Sequence, residues 1–272
     1  MRKTGTIFRP VKGKDNAYLA EYIRSLGFDC VFTGYPSPEK VEAFAETFAR
    51  AGLYYESIHA PFQNMNDIWA HGEEGEAMLA WLMACLEDCK RLNVPVMVVH
   101  LSKGITPPSV NDIGRSRWDR LVDAAVKGGV KIAFENQRFL ANIAFVMELY
   151  RNVPQVGFCW DCGHENCYTT NIEFMKLFGD RLMYTHIHDN NGIVHGVLEN
   201  QTADDLHLIP FDGNLNYNRF AEHIRNSGFD GTLTLELCGY NKNGYDEKYT
   251  VEQFLAKAYD SVAKLVKMCD GE

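Results

Sequence analysis

The stretch KIAFENQR at residues 131–138 combines the two features that decide the fold. Its apolar run has the length and composition of a buried strand, and the run ends directly in an acidic residue, Glu135. The same pattern recurs at VGFCWDCGH (156–164), LMYTHIHD (182–189) and TLTLEL (232–237). Helical stretches separate these runs, and strands that alternate with helices pair in parallel through right-handed crossovers. The sequence therefore predicts an α/β fold with a parallel sheet.

Working outward from this stretch, we find eight strand–helix units and no linker between them. The predicted strands are Gly5–Phe8, Asp29–Thr33, Tyr54–His59, Val96–Leu101, Lys131–Glu135, Val156–Asp161, Leu182–His188 and Thr232–Leu237. The predicted helices are near Asn16–Leu26, Pro38–Ala51, Glu73–Leu92, Asp112–Lys127, Ile143–Arg151, Ile172–Phe178, Tyr217–Ser227 and Val251–Met268. Eight units favour one (β/α)8 TIM barrel over residues 1–272, and an open doubly wound sheet is the alternative. The long segment between Asp189 and Asn216 is expected to be a functional loop.

Composition limits the class of protein. The chain has 272 residues, of which 46% are hydrophobic and 23% charged, and its formal net charge is −9. This negative charge disfavours a nucleic-acid partner. We find no apolar run of the roughly 20 residues that cross a bilayer and no signal peptide. Eight cysteines without a secretory signal predict reduced thiols. We therefore expect a cytoplasmic protein without membrane partners, and a homo-oligomer stays open.

Ionisable residues stand at the ends of six consecutive predicted strands. They are His59, His100, Glu135, Asp161 with His164 beyond it, His186 with His188 beyond it, and Glu236. The carboxyl ends of the strands meet at the mouth of a TIM barrel, where the active sites of this fold lie. Burying unpaired carboxylates there would cost several kcal/mol, so a cation is expected nearby. Mixed carboxylate and imidazole donors suit manganese, cobalt, zinc, iron or magnesium, and the lack of a strand-end cysteine disfavours a closed structural zinc site.

Taken together, several motifs resemble one superfamily over nearly the whole chain, that of the xylose isomerase-like barrels. The motifs are His59-Ala60-Pro61, Phe134-Glu135-Asn136, Asp161-Cys162-Gly163-His164, His186-Ile187-His188-Asp189-Asn190, Asp205-Leu206-His207 and Glu236. The superfamily contains sugar isomerases and epimerases, inosose dehydratases and type-IV apurinic endonucleases. The resemblance to its epimerase branch implies one divalent metal ion held by Glu135, Asp161, His186 and Glu236. It also implies that the two glutamates exchange the substrate proton.

The endonuclease branch has a cluster of three zinc ions, and its further ligands also find counterparts here. By resemblance, they map to His59, His100, His164, Asp205 and His207, so additional metal ions stay open. Two features disfavour that branch: the loops that grip phosphate and DNA in the endonucleases have no strong match here, and the net charge of the chain is negative. The loop Leu208–Asn214 departs from the glycine-rich pattern of many relatives, so the resemblance does not specify the substrate.

We therefore predict a divalent-metal-dependent isomerase or epimerase of a small sugar or sugar derivative. Glu135 and Glu236 are the predicted catalytic bases, acting through a metal-stabilised enediolate. The predicted substrate-binding residues are His59, His100, His164, His207 and Arg138. The first alternative is a lyase that dehydrates a keto-polyol, the second is a zinc phosphodiesterase of the endonuclease type, and the third is a non-enzymatic binding module.

Three neighbouring residues are interpreted differently. His188 shares strand parity with His186 but lies past the expected strand end, so we leave it out of the metal set. Cys159 and Cys162 have the spacing of a redox or zinc pair. Strand alternation places them on opposite faces, however, so we interpret them as packed free thiols.

Overall fold

Eight parallel strands form one continuous sheet in the computed structural model, which describes residues 2–169, 171–196 and 202–271. The strands are Thr4–Ile7 (β1), Cys30–Gly34 (β2), Tyr54–His59 (β3), Val96–Val99 (β4), Lys131–Glu135 (β5), Val156–Asp161 (β6), Leu182–His186 (β7) and Leu233–Leu235 (β8). Each strand from β1 to β6 is hydrogen-bonded to the next strand in the chain, and β8 pairs with β1.

The sheet closes between β7 and β8 through one residue. Ile187, directly after β7, forms an isolated parallel bridge to Leu235. Its backbone N–H donates to the carbonyl of Thr234 at 2.9 Å, and its carbonyl accepts from the N–H of Glu236 at 3.0 Å. The predicted (β/α)8 barrel is therefore confirmed, and the alternative of an open doubly wound sheet is wrong.

Helices follow the strands and surround the barrel. They are Asn16–Leu26 (α1), Pro38–Ala51 (α2), Glu73–Arg91 (α3), Asp112–Gly128 (α4), Leu140–Leu149 (α5), Cys162–Tyr168 (α6), Phe174–Phe178 (α7), Tyr217–Ser227 (α8), Tyr245–Lys248 (α9) and Val251–Asp270 (α10). Short 3-10 helices cover Met65–Trp69 and Gly179–Arg181. Within the described ranges, none of the helices is long and apolar enough to cross a membrane.

Most predicted elements agree with this structure to within three residues at each end. The largest shift lies at α5, which begins three residues earlier than predicted because Ile143 stands inside the helix rather than at its start. Helix α6, which begins directly after β6, was not predicted. The side chain of Asp161 accepts a bond from the backbone N–H of His164 at 2.6 Å, so the last residue of β6 is also the N-cap of this helix.

Aromatic residues that flank the strand ends direct the ionisable residues into the barrel. Phe134 packs its ring edge-to-face against Trp118 of α4, with the centroids 5.4 Å apart. Trp160 stacks on Phe220 of α8 at 4.9 Å. Side chains alternate between the two faces of a strand, so the residue after each outward-facing aromatic ring points inward. Burial of these rings under the helices therefore orients the strand-end carboxylates towards the barrel axis.

Arg117 of α4 holds the long loop that follows β3. Its side chain is buried, and its Nη1 atom donates to the carbonyls of Ile68 at 2.9 Å and Ala70 at 2.6 Å. Its Nε atom donates to Glu76 at 3.0 Å. The fork of donors satisfies carbonyls that the loop leaves without partners, which a lysine ammonium cannot do with the same geometry.

We predict that Arg117→Lys lowers the free energy of unfolding by about 2 kcal/mol, because buried carbonyls lose their donors. Urea unfolding should show a lower midpoint with an unchanged slope. Arg115→Lys is the matched control, since Arg115 forms only an exposed i,i+4 pair with Asp119. This control should change stability by less than about 0.5 kcal/mol. Equal losses in the two variants would contradict the assigned role of Arg117.

Candidate metal centre

Four strand-end residues converge at the mouth of the barrel. Glu135, Asp161 and His186 end β5, β6 and β7, and Glu236 follows β8 directly. One ligand atom from each of the four lies within 4.8 Å of those of the other three. The structure thus brings together the four residues for which the sequence predicts a shared metal ion. All four side chains are buried, and Glu236 is the most accessible of them at 8%.

Several atoms of this group that face one another form no hydrogen bond within the described residues. Glu135 Oε2, Asp161 Oδ2 and both ring nitrogens of His186 are buried without a hydrogen bond in the part of the chain that the structure describes. His186 Nδ1 lies 3.2 Å from both Glu135 Oε2 and Glu236 Oε2. Buried polar atoms are normally satisfied, so oxygen and nitrogen donors oriented towards a common centre fit a divalent cation.

The charges of the group follow from these short distances. Burial alone would raise the pKa of Glu135, but the imidazoles of His100 and His186 outweigh it and lower that pKa well below its usual range. Burial likewise opposes ionisation of Glu236, and His186 lowers the pKa of that carboxyl. Both glutamates are therefore ionised at neutral pH, as metal ligands and proton acceptors need to be.

Glu135 belongs to a second group, formed with two histidines from the preceding strands. Its Oε2 atom lies 3.3 Å from Nε2 of His59 and 3.3 Å from Nε2 of His100. His59 donates its Nδ1 hydrogen to the carbonyl of Ala60 at 2.8 Å, which turns Nε2 towards the pocket. Burial lowers the pKa of His100, which favours the neutral form that can act as a ligand or a hydrogen-bonding partner.

A third group lies on the other side of Asp161. His164 Nε2 and His207 Nε2 lie 3.4 and 3.3 Å from Asp205 Oδ2. His207 adopts a positive φ of 49°, and its Nδ1 atom donates to the carbonyl of Glu236 at 2.7 Å. This backbone conformation, which is uncommon for residues other than glycine, aims Nε2 at Asp205.

His188, which was not predicted as a metal ligand, also lies in this region. Its Nε2 atom is 3.1 Å from Asp161 Oδ1, and its ring stacks on His207 with centroids 3.8 Å apart and an angle of 16° between the planes. A ring nitrogen binds a metal with the lone pair in the plane of the ring, so two stacked imidazoles cannot both aim at one ion. The geometry therefore favours His188 as a partner that orients the carboxylate of Asp161.

Gln137 was not predicted as a site residue, whereas Cys159 is a buried free thiol, as predicted. The Gln137 amide nitrogen lies 3.1 Å from His100 Nε2 and 3.2 Å from His164 Nδ1, between the second and third groups. Cys159 lies inside the barrel near Glu135 and His186. Strand parity with Asp161 places Cys159 inside the barrel, whereas Gln137 lies past the end of β5, where parity no longer predicts side-chain direction.

The predicted substrate-binding residues line one cavity of about 360 Å³ above the metal group, a size typical of small-molecule sites. They are His59, His100, His164, His207 and Arg138. The Arg138 guanidinium packs 3.7 Å from the centre of the Tyr168 ring. Phe62 forms part of the wall, with its ring 4.6 Å from that of His100.

Asp189 organises the long loop that carries Asp205 and His207. Its Oδ1 atom accepts from the N–H of Leu215 at 3.0 Å, and its Oδ2 atom accepts from the N–H of Phe211 at 2.9 Å. Its backbone exchanges two hydrogen bonds with Leu208. The carboxylate therefore fixes the loop from both sides and places its ionisable residues beside the strand ends. The predicted functional loop includes residues 197–201, which lie outside the described residues.

Comparison with known proteins identifies the family of this chain. Residues 20–263 match the family of xylose isomerase-like TIM barrels, and the chain belongs to this family. A relative from Methanocaldococcus jannaschii, the uncharacterized protein MJ1311, is 26% identical and covers 88% of this chain and 83% of its own length.

Two solved structures share the fold. D-psicose 3-epimerase from Clostridium cellulolyticum H10 is 14% identical, with a TM-score of 0.71 over 98% of this chain and 99% of its own. The IolI protein, solved with a bound zinc atom, is 20% identical, with a TM-score of 0.76 over 97% of this chain and 98% of its own.

The ionisation of His207 predicts how the stability of the metal-free protein depends on pH. Burial opposes its charge, but Asp205 raises the pKa of His207 to about 9, above the value of about 6.5 expected in the unfolded chain. The stabilising charge is therefore fully present below pH 6.5 and is lost as the pH rises through 9.

We expect this loss to cost at most on the order of 3 kcal/mol, since one fifth of the His207 side chain is exposed. Urea unfolding in the presence of a chelator at several pH values measures it. His207→Gln is the comparison, because the difference between wild type and variant isolates this one group from the other histidines. A difference that stays constant between pH 6 and 10 would show that His207 does not titrate as described.

Proposed function

We propose that this protein is a divalent-metal-dependent isomerase or epimerase of a small sugar or sugar derivative. The observation that carries this proposal is the convergence of Glu135 and Glu236, two buried and ionised carboxylates, with Asp161 and His186 at the floor of a small-molecule cavity. The names of the structural neighbours, a sugar 3-epimerase and a zinc-bound protein, support the substrate class and the metal.

In this proposal each residue has a defined task. A divalent ion held by the four residues would polarise the carbonyl of the substrate and stabilise the enediolate form. Glu135 or Glu236 removes the proton next to that carbonyl, and the other glutamate takes up a proton from water and delivers it to the opposite face. His59, His100, His164, His207 and Arg138 bind the hydroxyl groups of the substrate.

The buried position of this group also supports the chemistry. Glu135 is 1% exposed and Glu236 is 8% exposed, so solvent reaches the first carboxylate less readily than the second. The more accessible carboxylate can take up a proton from solvent and pass it to the substrate. The eight free cysteines support the proposal that the protein acts in the reducing cytoplasm.

We predict that Glu135→Gln and Glu236→Gln each lower turnover by at least about 10²-fold, because each variant removes one proton acceptor while keeping the shape of the side chain. NMR of ketose substrates in deuterated water measures the reaction directly. Isomerisation or epimerisation incorporates deuterium with the substrate skeleton intact, whereas the alternative dehydratase expels the β-hydroxyl group as water. His223→Gln, at a residue of α8 that lines neither the cavity nor the metal groups, should remain fully active. Full activity without either glutamate would end the two-base mechanism.

A second candidate function is a phosphodiesterase that uses several metal ions. One observation favours it, namely that Glu135 is shared with His59 and His100, and a third group contains His164, Asp205 and His207. Two or three ions at such spacing can stabilise both the attacking and the leaving oxygen of a phosphodiester. The negative net charge of the chain disfavours a nucleic-acid substrate.

The number of bound ions distinguishes the two candidates. We predict one ion per chain by elemental analysis after dialysis, unchanged in the double variant His59→Asn/His100→Asn. Asp161→Asn should lose that ion, because its carboxylate belongs to the first group alone. Three zinc ions per chain, together with cleavage of DNA at abasic sites, would establish the phosphodiesterase instead.

A further inference from the structure

A second, larger groove of about 1070 Å³ adjoins the cavity above the metal group. It extends along the loops after β1, β2 and β8, and it shares Arg9, Tyr35 and Gln63 with the cavity. The two spaces therefore adjoin at these residues. Together they exceed the volume that the cavity alone offers, so the site can take a ligand with a reacting end and a second, distal part.

The groove carries charge of one sign. Its ionisable lining residues are Arg9, Lys12 and Lys40, and no aspartate or glutamate lines it among the described residues. Lys103 adds a cation to the wall of the inner cavity. The carboxylates of that cavity, in contrast, belong to the ligand groups at its floor, namely Glu135, Asp205 and Glu236. The chain as a whole has a net charge of −9, but its charges are separated here: the floor of the cavity is negative and the adjoining groove is positive.

Arg9 stands where the two spaces meet. Its Nε atom donates to the carbonyl of Leu237 at 2.9 Å, which anchors the guanidinium one residue past Glu236 in the chain. No carboxylate oxygen of the described residues lies within 4.0 Å of Arg9, Lys12, Lys40 or Lys103. These charges are therefore available to a ligand. A guanidinium with free Nη donors is well suited to a carboxylate or phosphate group.

We propose that the substrate is an anionic sugar derivative. Its hydroxy-carbonyl end lies at the floor of the cavity, and a carboxylate or phosphate at its distal end contacts Arg9 and the groove lysines Lys12 and Lys40. This inference rests on the proposed function for the identity of the reacting end. The apolar side chains of Tyr35 and Phe44 line the groove beside these cations and can pack against the carbon skeleton of the ligand.

The test compares three probes that share one ketose skeleton: D-fructose, D-fructose 6-phosphate and D-fructuronate. Calorimetric titration of each probe into the Mn²⁺-loaded protein measures the dissociation constants from the heat of binding, a readout that does not depend on turnover. We expect at least one of the anionic probes to bind about tenfold or more tightly than fructose, with a preference that falls as NaCl is raised. Which of the two binds more tightly identifies the distal group as phosphate or carboxylate.

Charge-removing variants locate the effect. Arg9→Gln and Lys40→Gln should each reduce the preference for the anionic probe, and the double variant should bring it close to 1. Arg9→Lys, which keeps the charge, should restore most of it. Lys127→Gln is the matched control, since it makes the same change in the last turn of α4, away from both spaces. Thermal unfolding checks that the variants remain folded.

Three results would overturn the inference. They are equal affinity of the wild type for fructose and both anionic probes, a preference that survives in the Arg9→Gln/Lys40→Gln double variant, and tighter binding of a short oligonucleotide than of either anionic sugar. The last result would assign the groove to a nucleic acid. Because the binding readout does not depend on turnover, selective binding with no proton exchange in deuterated water would contradict the proposed function alone.

Discussion

The carboxylate of Glu135 is almost completely buried, and four imidazoles surround it. Its Oε2 atom lies within 3.3 Å of ring nitrogens from His59, His100 and His186, and its Oε1 atom lies 3.0 Å from His164. An isolated carboxylate in such a place would cost several kcal/mol. Positive charge, carried by imidazoles or by a metal ion, must therefore accompany it. The other strand-end ligands are arranged around this requirement.

This constraint explains why the strand-end carboxylates could be predicted from the sequence. Glu135, Asp161 and Glu236 each follow an apolar run directly, and a charged residue at the end of a buried strand has few structural explanations besides a site. The barrel was predictable for the same reason, because strands such as Lys131–Glu135 and Val156–Asp161 alternate with amphipathic helices and end where expected. Local pattern and global fold agree in these segments.

Residues past the strand ends were harder to place. Strand alternation predicts side-chain direction only while the backbone remains extended, and the chain leaves β6 and β7 directly after Asp161 and His186. The orientation of His188 depends on the bridge that Ile187 makes to Leu235, and no local pattern encodes that contact. The position of Gln137 depends on the imidazoles that surround its amide. Tertiary contacts decide these positions, so a single sequence could not.

The local charge beside the mouth of the barrel differs in sign from the net charge of the chain. A net charge of −9 describes the whole surface, yet the groove beside the mouth has only cationic ionisable residues within the described part of the chain. The sign of the charge in the groove depends on which loops form it. The loops after β1, β2 and β8 come together only when the barrel closes.

Closure through Ile187 also ties the ligand groups to one another mechanically. The backbone of this residue bonds to Thr234 and Glu236, while its chain neighbours are His186 and His188. A small slip of β8 along β7 would break these bonds and displace Glu236 relative to His186 and His188. The backbone of one residue therefore fixes the register between ligands that come from the two ends of the closed sheet.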